Sequence, residues 1–276
     1  MVSRCSRYSS TMKVCIFAIL SALSLAHAEV AVEVVFKPLP LDVQPQEGAI
    51  RSHIIAATQD WASRFHTRDC TITVQFSIQP WPGRGTGRSF VSSPYLDEMR
   101  DGKHVSEEGA AQKIRTGRDP NGESPDIEMY FDPAYFRTLW FDPDLKARNA
   151  PIPSEKLDAY SVILHELGHA FGFNGFRNQT NGTLPDKFMS VYDRWVTFDG
   201  KNFFFNGPTA IKLYGRPIPL AHSKNNYHHV AEKNETTDPQ LTTDLMNGIT
   251  LEWGRRYHIS PLDVAILSDC GQTPKE

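Results

Sequence analysis

HELGHAFGFNG, residues 165–175, closes the most regular helical pattern in the chain. Upstream, PIPSEKLDAYSVIL supplies Ser154 as the expected N-cap, and Leu157, Tyr160, Leu164, Leu167, Ala170 and Phe171 recur at helical spacing. Gly172 is the expected stop, because glycine alone takes a left-handed cap without cost. Residues four apart stack one turn above another, so His165 and His169 present two imidazoles to one point. Glu166 is rotated one position round and reaches what lies beside such a point. This is the spacing of a zinc-binding helix. Zinc lowers the pKa of bound water toward ~7 and polarises a carbonyl, while the carboxylate carries the proton from water to leaving amine. Chance histidines explain the pattern poorly: SVIL and AF bury the rest of the helix, and the three polar residues share the remaining stripe.

A catalytic zinc takes a third protein ligand and keeps one position open. The histidines downstream are His222, His228 and His229, ahead of the segment DLMNG at 244–248. His228 and His229 are adjacent, so in an extended segment they point to opposite sides and one of them meets the metal. The order of HExxHxxG, later histidine and DLMNG resembles the metzincin clan of zinc metallopeptidases. Within that clan it looks most like leishmanolysin-type and related bacterial secreted enzymes, in which a segment separates the glycine from the third histidine. The resemblance covers mainly residues 157–271. Gly175 departs from it, standing where most of the clan places that histidine.

The resemblance implies an α+β, zincin-like fold: a small mixed β-sheet with two long helices above a cleft, and a Met-turn at Met246 with the C-terminal helix below. It also implies a secreted zinc metalloendopeptidase acting on a protein or peptide, with Glu166 as general base and Zn2+ on His165, His169 and His229. HHVAE resembles the histidine-bearing segment before the Met-turn, which favours His229 over His228 and His222. Glu232 is the candidate if the third ligand is a carboxylate, as in gluzincins. The aspzincin pattern needs an aspartate where PTAIKLYG has Ile211. By analogy with related peptidases Tyr257 or His228 is a candidate for the oxyanion, though each also reads as an ordinary side chain at the cleft edge, and His258 is expected to be structural or near the rim. A zincin-like binding module, or a zinc amidase with a non-protein substrate, are the alternative readings.

The N-terminus reads as an export signal. Arg4, Arg7 and Lys13 precede an apolar run that ends in small residues, so cleavage is expected after Ala28 and the mature chain is expected to be secreted or periplasmic. Met12 offers an alternative start. The run is shorter than the ~20 residues that span a bilayer, and no later segment spans one. Removing residues 1–28 loses three basic residues and no acidic one, taking the formal net charge from -3 to -6. Nucleic acid is thereby excluded as a partner, since that affinity comes from cations meeting phosphates. Residues 29–276 suit one domain, with an upper lobe to about 175 and a lower lobe beyond, expected to be monomeric.

Cys70 and Cys270 remain after cleavage and read as one disulfide, worth roughly 4–5 kcal/mol on the chain-entropy model. Strands are expected at VAVEVVF (30–36), CTITVQFSI (70–78) and IEMYF (127–131), and an amphipathic helix at 49–65. SPLDVAILSDCG forms the last helix, with Ser260 as N-cap and Pro261 in its first turn. Residues 81–125 are polar, rich in glycine and weak in periodicity, which predicts a surface excursion holding one short strand or helix. DPNGES within it is a solvated turn rather than a calcium loop, because Ser124 stands where that loop needs glycine. Asn178, Asn181 and Asn234 begin glycosylation sequons.

Overall fold

The computed structural model describes residues 29–81, 85–89, 96, 98–222, 227–231, 238–248 and 251–275. The expected signal segment, Glu232 and Asn234 lie outside them. The strands are β1 (Val30–Phe36), β2 (Cys70–Ile78), β3 (Gly85–Ser89), β4 (Met99–Arg100), β5 (Lys103–Ser106), β6 (Ile127–Phe131), β7 (Leu139–Trp140), β8 (Leu157–Asp158), β9 (Phe188–Ser190), β10 (Val196–Phe198), β11 (Phe203–Phe205) and β12 (Ile218–Leu220). The helices are α1 (Glu47–Ser63), α2 (Gly109–Thr116), α3 (Pro133–Phe136), α4 (Ala159–Phe171), α5 (Pro208–Tyr214), α6 (Pro239–Thr242) and α7 (Pro261–Asp269). The class is α+β, with several small mixed sheets.

The main sheet has the order β1-β2-β6-β3. Its first three strands are parallel, with Val34 opposite Val74 and Val74 opposite Ile127. β3 closes the edge antiparallel to β6, Gly85 lying opposite Phe131. The alternation of β1 and β2 buries Val34, Ile72, Val74 and Phe76; β1 packs on α1, β2 on α2, and α4 lies against α1 and β3. Those two helices are joined where the Trp61 indole N–H donates to the Leu164 carbonyl at 2.9 Å and the Tyr160 hydroxyl to Ala56 O at 3.2 Å. Trp61 is fully buried, so that bond also satisfies a donor that water cannot reach. One continuous apolar core runs from Val34 through Trp61 and Leu164 to Ile266.

The helix that carries His165 and His169 begins later than Ser154. Ser154 only touches Glu155, while Leu157 and Asp158 pair with β7, and Asp158 caps α4 by accepting from Ser161 N–H at 3.2 Å. Asp158 wins because Arg148 also holds it, at 2.8 Å, in a buried setting. The excursion at 81–125 is more ordered than its composition suggests. It supplies β3, β4, β5 and α2, and α2 buries Ala110, Ala111 and Ile114. β5 pairs in parallel with β9, tying this stretch to residues 188–190. Asp119 of DPNGES is committed to Lys113, at 2.6 Å, and to the N–H groups of Asn121 and Gly122, as an ordinary turn requires.

Ser260 and Asp263 form the expected reciprocal cap at the start of α7. The chain then returns to the end of α1, with Lys275 N–H donating to Arg64 O at 2.9 Å. The expected disulfide is absent: Cys70 and Cys270 are both free thiols. Cys70 begins β2 within the field of Lys113 and Asp126, whereas Cys270 caps α7 beneath Gly172 and beside Arg194. Residues 273–275 are tied instead to the end of α1 by backbone hydrogen bonds, His66 N–H donating to Thr273 O at 2.7 Å. Burial pushes the Cys70 thiol up to about 11 and Cys270 higher still, so neither is a ready thiolate.

Candidate metal centre

α4 presents His165 and His169 one turn apart, as the spacing requires. His165 Nδ1 lies 2.8 Å from the Leu245 carbonyl, and His169 Nδ1 lies 2.9 Å from the Phe173 carbonyl. A carbonyl only accepts, so each Nδ1 carries its proton and each Nε2 is left with a bare lone pair. Gly172 makes the second of these contacts possible. Its φ of 141° bends the chain so that Phe173 folds back over the last helical turn, a conformation that side chains resist.

The third histidine is His229. It sits on a short bridged stretch between β12 and the 244–248 turn: Ala221 N–H donates to its carbonyl at 2.8 Å, and Val230 N–H donates to Met246 O at 2.9 Å. Its Nε2 is 3.2 Å from that of His165 and 3.2 Å from that of His169, which are 3.3 Å from each other. Three lone pairs facing one another at this distance repel unless a cation lies among them. Nitrogens about 2.0–2.1 Å from a tetrahedral zinc are themselves about 3.3 Å apart, so the triangle fits that ion. Burial, with the neighbouring imidazoles, holds His169 well below the usual histidine range, and burial lowers His165 too. Both are neutral, the form that ligates a metal.

Met246 lies under this triangle. A side chain at Gly168 would begin 2.5 Å from the Met246 sulfur, so the turn packs against bare helix backbone between the two ligands. Asp244 shapes the turn by accepting from Met246 N–H at 3.0 Å and from the Ser260 hydroxyl at 2.6 Å. Burial and the adjacent Asp244 push Asp263 well above the usual carboxylate range, so this carboxyl keeps its proton. α7 thereby holds the turn that presents the Leu245 carbonyl to His165.

Gly175 has a role of its own. Its N–H donates to His228 Nε2 at 3.0 Å, and a β-carbon there would lie 2.4 Å from both Asp193 Oδ1 and the Tyr227 hydroxyl. Tyr227 donates to Asp193 at 2.9 Å and accepts from Arg177 N–H at 2.6 Å. Residues 175–177, where the chain leaves the helix, are thus stapled to residues 227–228, where it returns with His229. His228 is half-buried and neutral, lowered to about 4 by desolvation, and it lines the cleft. His222 lies elsewhere, packed 5.7 Å from the Phe203 ring and 6.2 Å from Phe198. Tyr257 is buried, its hydroxyl accepting from Glu252 N–H at 3.1 Å, and it does not line the cleft. His258 is exposed.

The triangle opens into a cleft of about 480 Å³ bordered by Trp81, Thr86, Gly87, Asn174 and His228, with Glu166 in its wall. Glu166 Oε2 accepts from Gly87 N–H at 2.9 Å. Burial pushes the Glu166 carboxyl up to about 7, and the Gly87 bond partly opposes this. Gly87 must lack a side chain, since a β-carbon would meet the Glu166 carbonyl at 2.4 Å. Composition concealed this contribution from the 81–125 stretch; the alternate glycines of GTGRS were its one signal, marking close backbone approach. Asn174 was also not anticipated. Its amide donates at 2.8 Å to buried Glu108, whose carboxyl burial pushes up to about 8. The cluster His165, His169 and His229 is the one grouping of three potential metal ligands among the described residues. Comparison with known proteins finds no family model, no curated protein and no solved structure that matches the chain.

Proposed function

We propose that the chain is an exported zinc-dependent endopeptidase of the metzincin kind, with His165, His169 and His229 as ligands and Glu166 as general base. The observation that carries this reading is the convergence of three bare Nε2 atoms, 3.2–3.3 Å apart, beside a half-buried carboxylate in an open cleft. Zinc held there would acidify a water and polarise a peptide carbonyl. Glu166 takes a proton from the attacking water as its oxygen bonds to the carbonyl carbon, and returns that proton to the amide nitrogen as the C–N bond breaks. A carboxyl raised toward neutrality suits both transfers. Gly87 N–H anchors one oxygen of Glu166 and fixes its direction. β3 is an edge strand bordering the cleft, so its free side can align an extended peptide by backbone pairing.

The test is zinc stoichiometry measured together with casein hydrolysis, with and without a chelator. One zinc per chain and chelator-sensitive cleavage are expected. Glu166→Gln should keep the metal and lose about 10²–10⁴-fold in rate. Full activity in that variant would overturn the mechanism, and bound zinc without cleavage of any protein or peptide would indicate a binding module.

A further inference from the structure

A second concavity, sharing no residue with the cleft, follows α7. It consists of two cavities of about 660 and 270 Å³ in series, both bordered by Leu213, Ser260 and Pro261. Small-molecule sites span about 300–1,000 Å³, so the larger cavity alone has the volume of one. Its floor is apolar, built from Leu213, Ile259 and Val264, and Leu213 is 54% exposed, a large side chain left uncovered. Its rim is cationic. Arg64 is paired with Asp60 at 2.8 Å, whereas exposed Lys212 and Lys275 form no ion pair among the described residues. The whole chain carries a net charge of -3, so two cations without an ion pair among the described residues, beside one apolar floor, run against its average. The second cavity continues the apolar path past Leu241 and Leu262 and ends beside the Asp244 carboxylate, which repels an anion.

This polarity defines the occupant. Inorganic phosphate would leave the floor uncovered, and a cationic amphiphile would meet the lysines. We infer that the groove binds a free single-chain amphiphile with an anionic head, a fatty-acid carboxylate being the simplest. The head sits at Lys212 and Lys275, and the chain runs over Leu213 toward Leu241. Each buried methylene deepens affinity about fourfold, so chain length governs binding.

Isothermal titration of the purified protein, below micelle concentrations, tests this with dodecanoate, octanoate and dodecyltrimethylammonium. One dodecanoate per chain is expected, at least tenfold tighter than octanoate, with no binding of the cationic analogue. Lys212→Glu/Lys275→Glu changes two exposed side chains, so its circular dichroism should match the parent while dodecanoate binding falls at least tenfold. Val264→Trp should block the floor and weaken binding similarly. Equal affinity for both head charges, no dependence on chain length, or an unchanged, folded double variant would overturn the inference. So would binding to anionic phosphatidylglycerol vesicles without binding of monomeric dodecanoate, which would make the groove a membrane contact. None of these readouts depends on proteolysis, so failure here is separable from failure of the proposed reaction.

Discussion

Gly175→Ala is the most informative single change, because it tests whether the staple between residues 175–177 and 227–228 positions the third ligand. The added methyl would begin 2.4 Å from Asp193 Oδ1 and from the Tyr227 hydroxyl, both buried and already hydrogen-bonded to each other. Neither group belongs to a flexible surface side chain, so relief must come from the segment that carries His228 and His229. Overpacking of this size costs about 1–3 kcal/mol. If the metal-free protein relaxes and the bound form cannot, zinc affinity falls about 5- to 150-fold, the range found when groups supporting metal ligands are lost. Competition against a chromogenic chelator measures that affinity, and a melt of the metal-free protein shows how much strain is already present there. Gly175→His, which would install a histidine at the position of the contiguous HExxHxxGxxH pattern, should be worse than alanine. Zinc affinity and metal-free Tm both unchanged in Gly175→Ala, or tighter binding by Gly175→His, would refute the staple.

Other expectations follow from the same geometry. Glu108 keeps its proton to about pH 8 when folded but loses it near 4.5 when unfolded, so the folded state binds more protons between those values and stability falls as pH rises through them. The full shift corresponds to up to about 5 kcal/mol; Glu108→Gln should flatten the change in urea midpoint between pH 5.5 and 8.5, and equal slopes in the two proteins would contradict this. In protein lacking residues 1–28, Cys70→Ser with Cys270→Ser should leave Tm in non-reducing buffer within a few degrees of the parent, and the unfolded parent should titrate two thiols; an intact disulfide by mass would reverse this reading. His229→Ala should abolish stoichiometric zinc binding while His222→Ala leaves it intact, and the opposite pattern would move the third ligand.

Much of the fold was legible where periodicity is strong. β1, β2 and β6 show alternation or dense branched residues, α1 and α4 repeat at helical spacing, and α7 carries its cap in Ser260, Pro261 and Asp263. Within the site, His165, Glu166 and His169 are fixed by one helix, so local spacing suffices. His229 could be placed ahead of its neighbours only by resemblance, because its position depends on how the whole of 176–228 folds. β3 was hidden because five residues with two glycines carry no apolar rhythm; its identity comes from pairing with β6 and from the close approach to α4. Asp158 displaced Ser154 as the cap for a reason outside the helix, the buried Arg148 partner. The cysteines misled because an expected export signal favours a bond that the packing does not make.

The separation of the three histidines along the chain has a bearing on when the candidate centre assembles. His169 and His229 are 60 residues apart, and both β12 and the 244–248 turn must form before the third imidazole arrives. A chain still extended holds only the His165 and His169 pair, and two imidazoles retain zinc poorly. Closing so long a loop is among the late events of folding, since its entropy is lost before its contacts form. On the proposed reading, metal capture would be a checkpoint at the end of folding: an exported precursor would cross a membrane without an assembled centre, and hydrolytic power would be withheld from the compartment of synthesis by topology alone.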